Sequence, residues 1–138
     1  MKKANSKKRI IIIAATFHTE SVEQMIAFTQ KEFKVWGFPL SEVVRVPGCF
    51  EMPLAVKHVL SQKDVSGALV LGAIEKGETL HGEVMGHVVY RSLIDLELQY
   101  SKPIGIGIIG PGATPKQIQS RRESTAQSAV RALISLLN

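Results

Sequence analysis

Apolar residues along this chain fall into two alternating rhythms. Short runs rich in β-branched and aliphatic residues stand at RIIIIAAT (9–16), SEVVRVPG (41–48), SGALVLGAI (66–74) and KPIGIGII (102–109), each bounded by turn residues, as buried strands are. Between them the apolar positions recur at helical spacing. Val22, Met25, Ile26, Thr29, Phe33 and Trp36 share one face until Gly37 stops the first helix. Pro53, tolerated near a helix start, opens a second helix carrying Leu54, Val56, Val59 and Leu60. A long third helix runs from Thr79 toward Tyr100. The last one announces its own start, because Thr114 can cap it, Pro115 suits its first position and Gln117 completes a T-x-x-Q capping box.

Four βα units joined by short connections predict an α/β fold, a four-stranded parallel sheet with helices on both faces. Ligands of such sheets bind outside the carboxyl ends of the strands. That rule selects three loops: Thr16-Phe17-His18, Pro47 through Glu51, and Gly72 through His81. A receiver-type signalling domain would fit the strand count but needs an acidic pair after the first strand, where this chain has Ala14, Ala15 and Thr16.

Length and composition narrow the partners. At 138 residues and 45% hydrophobic content the chain reads as a basic tail, 1–8, followed by one domain, 9–138. A domain of that size buries roughly two-thirds of its unfolded surface. No apolar run approaches the 18 or so residues of a membrane span. The basic start mimics a signal peptide, yet its apolar run is short and polar FHTE follows at once, so the expected location is cytoplasmic. The single Cys49 excludes an internal disulfide framework. The net charge of +5 is weak ground for nucleic acid, since five of the 17 basic residues lie in the first nine positions and no aromatics interleave with the others.

The third loop carries the chemistry. Gly72, Gly77 and Thr79 keep the spacing of a P-loop, but Glu78 stands where the nucleotide-binding lysine belongs, and a carboxylate there repels nucleotide phosphates. A smaller phosphate held by backbone amides at the helix start is still possible. His81, in the first turn of that helix, is the acid/base candidate, for an imidazole exchanges protons near neutrality. Glu83 and His87 point away from it at helical spacing, and neither HExxH nor a paired CxxC is present, so no metal is expected. Cys49 reads as an inert buried thiol rather than a nucleophile. Phe17 or Phe50 can stack on a heterocycle whose polar edge Glu51 would meet.

Taken together, VPGCFEMP (46–53), GAIEKGETLH (72–81) and KPIGIGI (102–108), in that order, resemble the lumazine synthases of riboflavin biosynthesis. The resemblance runs from about residue 9 to the C-terminus. It implies a flavodoxin-like three-layer sandwich and a cofactor-free condensation of 5-amino-6-(D-ribitylamino)uracil with 3,4-dihydroxy-2-butanone 4-phosphate. By that resemblance His81 transfers protons and Phe17 stacks on the pyrimidine. Cys49, Phe50 and Glu51 hold the ribityl chain, while Ala73, Ile74 and Glu75 line the ring pocket. Gly77, Glu78 and Thr79 present their backbone to the phosphate. The family's sites lie between subunits of a homopentamer, which in some members builds a larger shell, and a neighbour would supply Ile106 and the phosphate-binding arginine, best matched by Arg121.

The sequence departs from the family in three places. GPGAT follows the fourth strand where T-T-E or similar is usual, and a lysine- and glycine-rich segment after the arginine is missing, which predicts that the last two helical pieces merge into one. His18 stands where asparagine usually follows the stacking aromatic. These departures keep a second reading open: a catalytically weak relative that binds a flavin-like or pterin-like heterocycle, or an assembly protein.

Overall fold

Ile10 to Ala15 and Gly67 to Ile74 are buried on both sides, and each of these runs becomes a central strand of one sheet. The computed structural model describes residues 5–137. In chain order the elements are β1 (Ile10–Ala15), α1 (Thr19–Val35), β2 (Glu42–Val46), a 3-10 turn (Cys49–Glu51), α2 (Met52–Leu60), β3 (Gly67–Glu75), α3 (His81–Tyr100), β4 (Ile104–Ala113) and α4 (Pro115–Ser135). The sheet is parallel throughout, ordered β2-β1-β3-β4.

Successive side chains of a strand point to opposite faces, and the cores divide accordingly. Ile10, Ile12, Ala14, Leu69 and Leu71 pack under α1 and α4, against Met25, Phe33, Val130 and Leu133. Ile11, Ile13, Val70 and Ile108 pack under α2 and α3, against Met52, Val56, Val89 and Leu93. The flavodoxin-like three-layer arrangement is therefore present, with four strands. Leu54 does not join its helix partners in the core and is 61% exposed.

Buried Glu32 is answered from two sides. Trp36 Nε1 donates to its Oε2 at 2.9 Å and Arg131 Nε at 3.2 Å, which ties α1 to α4. Of the basic stretch 1–8, residues 1–4 lie outside the described residues, and Asn5 Nδ2 donates to the Trp36 carbonyl at 2.7 Å.

Two boundaries differ from the sequence expectation. β4 runs on through Gly110-Pro111-Gly112, with a cis Gly110–Pro111 peptide and a register shift that brings Ala113 opposite Glu75. Pro111 is tolerated because β4 is an edge strand. Gly110 is required there: its φ is +103°, and a Cβ would lie 2.2 Å from the Ile74 carbonyl oxygen. α3 starts at His81 rather than Thr79. At the C-terminus the expected merger holds, and α4 is one continuous 21-residue helix whose Thr114 Oγ1 accepts from Gln117 N–H.

Candidate active site

The carboxyl ends of β1, β2 and β3 bring the three loops together. After β1, the Thr16 amide donates to the Val46 carbonyl at 2.7 Å and the Phe17 amide to the Pro47 carbonyl at 3.1 Å, so the first two loops are stitched backbone to backbone. His18 follows at φ 60°, in the left-handed region that asparagine and histidine enter more readily than most residues. Histidine at this position thus keeps a turn that asparagine would also make. Phe17, held by this turn, is 63% exposed.

The second loop turns through the 3-10 segment. Glu51 Oε1 accepts from the Gly48 amide at 2.9 Å, which fixes one carboxylate oxygen at the mouth of α2. Phe50 stands half-exposed beside it, its ring 5.8 Å from that of His81 in an edge-to-face arrangement. Cys49 lies beneath them, 4% exposed. Burial, and to a lesser extent the nearby Glu51 charge, push its thiol up to about 11, so it is uncharged near neutrality and a poor nucleophile. The Tyr90 hydroxyl, which donates to the Gly110 carbonyl, is raised to about 12, mainly by burial and then by Cys49.

The third loop leaves β3 with the Lys76 amide bonded to the Ala113 carbonyl at 2.8 Å. Beyond that tie, the amides of Gly77, Glu78 and Thr79 meet no backbone acceptor among the described residues. They precede the start of a 20-residue helix, whose open amides and dipole attract an anion. The His81 amide donates to Thr79 Oγ1 at 3.3 Å, and the imidazole is exposed.

These loops enclose a cavity of about 510 Å³. Phe17, Cys49, Phe50, Glu51, Ala73, Ile74, Glu75, Gly77, Thr79 and His81 all line it, together with Ala15, Pro47, Gly48, Gly82 and Met85. A volume of this size suits a small organic substrate. Glu78 lines instead a neighbouring cavity of about 580 Å³, with Lys76, Leu80, Glu83, His87 and Pro111. Glu83 and His87 sit on that other side as well, and no group of three or more potential metal ligands occurs among the described residues.

Ile106 and Arg121 line neither cavity. Ile106 is half-buried in mid-β4, opposite Val70. Arg121 is exposed on α4, and its guanidinium has no partner among the described residues. Arg122 is instead engaged by Gln24 of α1 through its Nη1. Met85 and Gly82 escaped the sequence reading, although the first lies one turn beyond His81. The approach of His18 to Glu75 escaped it too, because nothing in the sequence marks a contact between the first and third loops.

Residues 7–138 match the family model described as 6,7-dimethyl-8-ribityllumazine synthase. Proteins named 6,7-dimethyl-8-ribityllumazine synthase from Staphylothermus marinus, Metallosphaera sedula and Saccharolobus islandicus are 39%, 38% and 36% identical to it. The similarity covers 94%, 96% and 94% of this chain and 87%, 87% and 84% of theirs. With the family model matching residues 7–138 and these relatives similar over nearly the whole chain, this chain belongs to the 6,7-dimethyl-8-ribityllumazine synthase family.

Proposed function

We propose that the protein is a transferase that condenses 5-amino-6-(D-ribitylamino)uracil with 3,4-dihydroxy-2-butanone 4-phosphate to 6,7-dimethyl-8-ribityllumazine, the penultimate step of riboflavin biosynthesis. One observation carries the reading: ten residues that the family resemblance assigns to the substrates and to proton transfer line a single cavity.

Chemically the reaction asks for little beyond orientation and proton movement. The pyrimidine's 5-amino group attacks the butanone carbonyl and water leaves, forming an imine. Phosphate is then eliminated, and the ribitylamino nitrogen closes the ring with loss of a second water. Phe17 stacks on the pyrimidine, and Ala73, Ile74 and Glu75 border its edge. The Cys49-Phe50-Glu51 turn takes the ribityl chain, where the second Glu51 oxygen is available to hydroxyls. The amides of Gly77, Glu78 and Thr79 take the phosphate at the α3 N-terminus. His81, across from Phe50, moves protons during imine formation and elimination. Holding two reactive partners in register supplies much of the acceleration.

The working unit is a homopentamer, open to assembly into a larger shell, in a cytoplasmic setting. Its partners are the two small substrates and further copies of itself. Leu80, just before α3, and Val84 and Val88 within it stand exposed at four-residue spacing, with Leu98 further on, an apolar stripe that a neighbouring subunit would cover. The neighbour would also contribute Ile106 and Arg121 to the site, and the unengaged guanidinium of Arg121 favours it over Arg122. No helix among the described residues is long and apolar enough to cross a membrane.

The test is absorbance-monitored condensation by the purified protein against the spontaneous reaction, with sedimentation analysis of the same sample. Acceleration by a pentamer or a multiple of it is expected. A folded protein that leaves the spontaneous rate unchanged would overturn the reading.

A further inference from the structure

We infer that His18 is a positioning residue for the pyrimidine: it braces the Phe17 ring on one wall of the cavity and the Glu75 carboxylate on another. The inference rests on the condensation reading above, and it begins with a mismatch in how Phe17 is held. The backbone of Phe17 is fixed by its bond to the Pro47 carbonyl, but its side chain stands largely in solvent. Among the described residues the one ring that meets it is the imidazole of His18, at 4.5 Å and 71°, an edge-to-face contact.

His18 is itself constrained. Its carbonyl accepts from the Val22 amide at the start of α1, and its left-handed backbone directs the imidazole toward the end of β3. There Nε2 is sealed from solvent, has no hydrogen bond, and lies 3.5 Å from Glu75 Oε1, close enough to attract but not aligned to bond. A buried polar nitrogen without a partner is costly, so a small approach of the carboxylate is favoured. Glu75 has room to make it, because its side chain is partly exposed and borders both cavities. The second cavity, on the far side of Glu75, is lined by Lys76 and Glu78 as well. With His18 drawing it inward, the carboxylate faces the cavity as an acceptor, which suits a pyrimidine edge bearing N–H donors.

The test compares steady-state kinetics of His18→Asn, Glu75→Gln and the double variant, with thermal melting alongside. Asparagine retains the left-handed turn and removes the ring. His18→Asn is expected to raise KM for the pyrimidine about three- to tenfold, the worth of one edge-to-face contact, with kcat and KM for the butanone phosphate changed by less than about twofold. Glu75→Gln is expected to raise the same KM, and the double variant to fall short of the product of the two single effects, because the His18–Glu75 share is lost in either single variant while the Phe17 contact is lost only with His18.

A wild-type pyrimidine KM in His18→Asn, an equal rise in both KM values, or single effects that multiply in the double variant would each overturn the inference. Should His18→Asn melt before it can be assayed, Glu75→Gln decides alone, and an unchanged pyrimidine KM overturns it. Failure of the wild-type protein to accelerate condensation would sink the functional reading and this inference with it. An active wild type with silent variants would sink only this one.

Discussion

At the amino end of the sheet Arg9 reaches Asp64 at 2.8 Å, Glu42 at 3.1 Å and Gln62 at 3.2 Å. Lys102 Nζ closes the end of α2 by donating to the Leu60 and Gln62 carbonyls, and Glu97 accepts from the Ile104 amide at 2.7 Å. At the carboxyl end, by contrast, Phe17, Phe50 and Leu80 are exposed, His18 Nε2 is unbonded, and the amides of Gly77 to Thr79 have no backbone acceptor. The difference follows from topology. In a parallel sheet all strands end on the same side, so bonding capacity left open gathers at one end while the other is free to be closed. Stability and chemistry can thus be altered separately.

The largest expected departure is at the closed end. A Cβ on Gly67 would lie 2.8 Å from the Pro103 carbonyl oxygen, so Gly67→Ala should cost about 2–3 kcal/mol, read as a lower denaturant midpoint at unchanged slope. The folded fraction should retain its kcat. A matching fall in kcat would mean that the two ends are mechanically coupled. Next, at the open end, His81→Ala should lower kcat by about 10- to 100-fold, at or below the lower end of the range for a proton-transfer group because the reaction also proceeds unaided. Melting temperature and pyrimidine binding should stay put, and an unchanged rate would remove His81 from its role.

A smaller effect is expected from Arg121→Ala, which should raise KM for the butanone phosphate by about tenfold with little change for the pyrimidine, as loss of one charged phosphate contact would. Equal effects on both substrates would assign Arg121 to assembly instead. The smallest concerns Cys49 and is invisible at neutral pH. Its folded value is raised from 9.0 to about 11, so its contribution to stability is complete below pH 9 and is lost as pH rises toward 11. Cys49→Ala should flatten that decline in melting temperature, leaving the part due to Tyr90. If the decline is unaltered, the thiol does not experience the burial assigned to it.

Much of the fold was legible because its signals are local. The cap at Thr114, the four apolar runs and the helical face from Val22 to Phe33 all depend on near neighbours in the chain. The end of β4 was hidden because Gly110-Pro111-Gly112 reads as a stop, and only its position at the sheet edge and the fit of Gly110 over Ile74 let pairing continue. Leu54 looked like core since periodicity registers an apolar residue, not which way its helix faces. Within the site, each loop's residues could be named from motif resemblance. The placing of Glu78 on the neighbouring cavity and the meeting of His18 with Glu75 depend on contacts between segments far apart in sequence, which no local pattern encodes.

The strand order also carries a schedule. Ile11 lies opposite Glu42 and Ala68 opposite Ile104, whereas the central seam sets Ile10 against Gly67, the longest of the three loops to close. Closing a longer loop costs more chain entropy, and it is repaid only when both cores form around the seam. The chain can therefore assemble as two halves, β1 with β2 and β3 with β4, each carrying its own helices. The seam that joins β1 to β3 brings Phe17 and His18 of one half to Glu75 and His81 of the other, so the site is complete only where that seam is made.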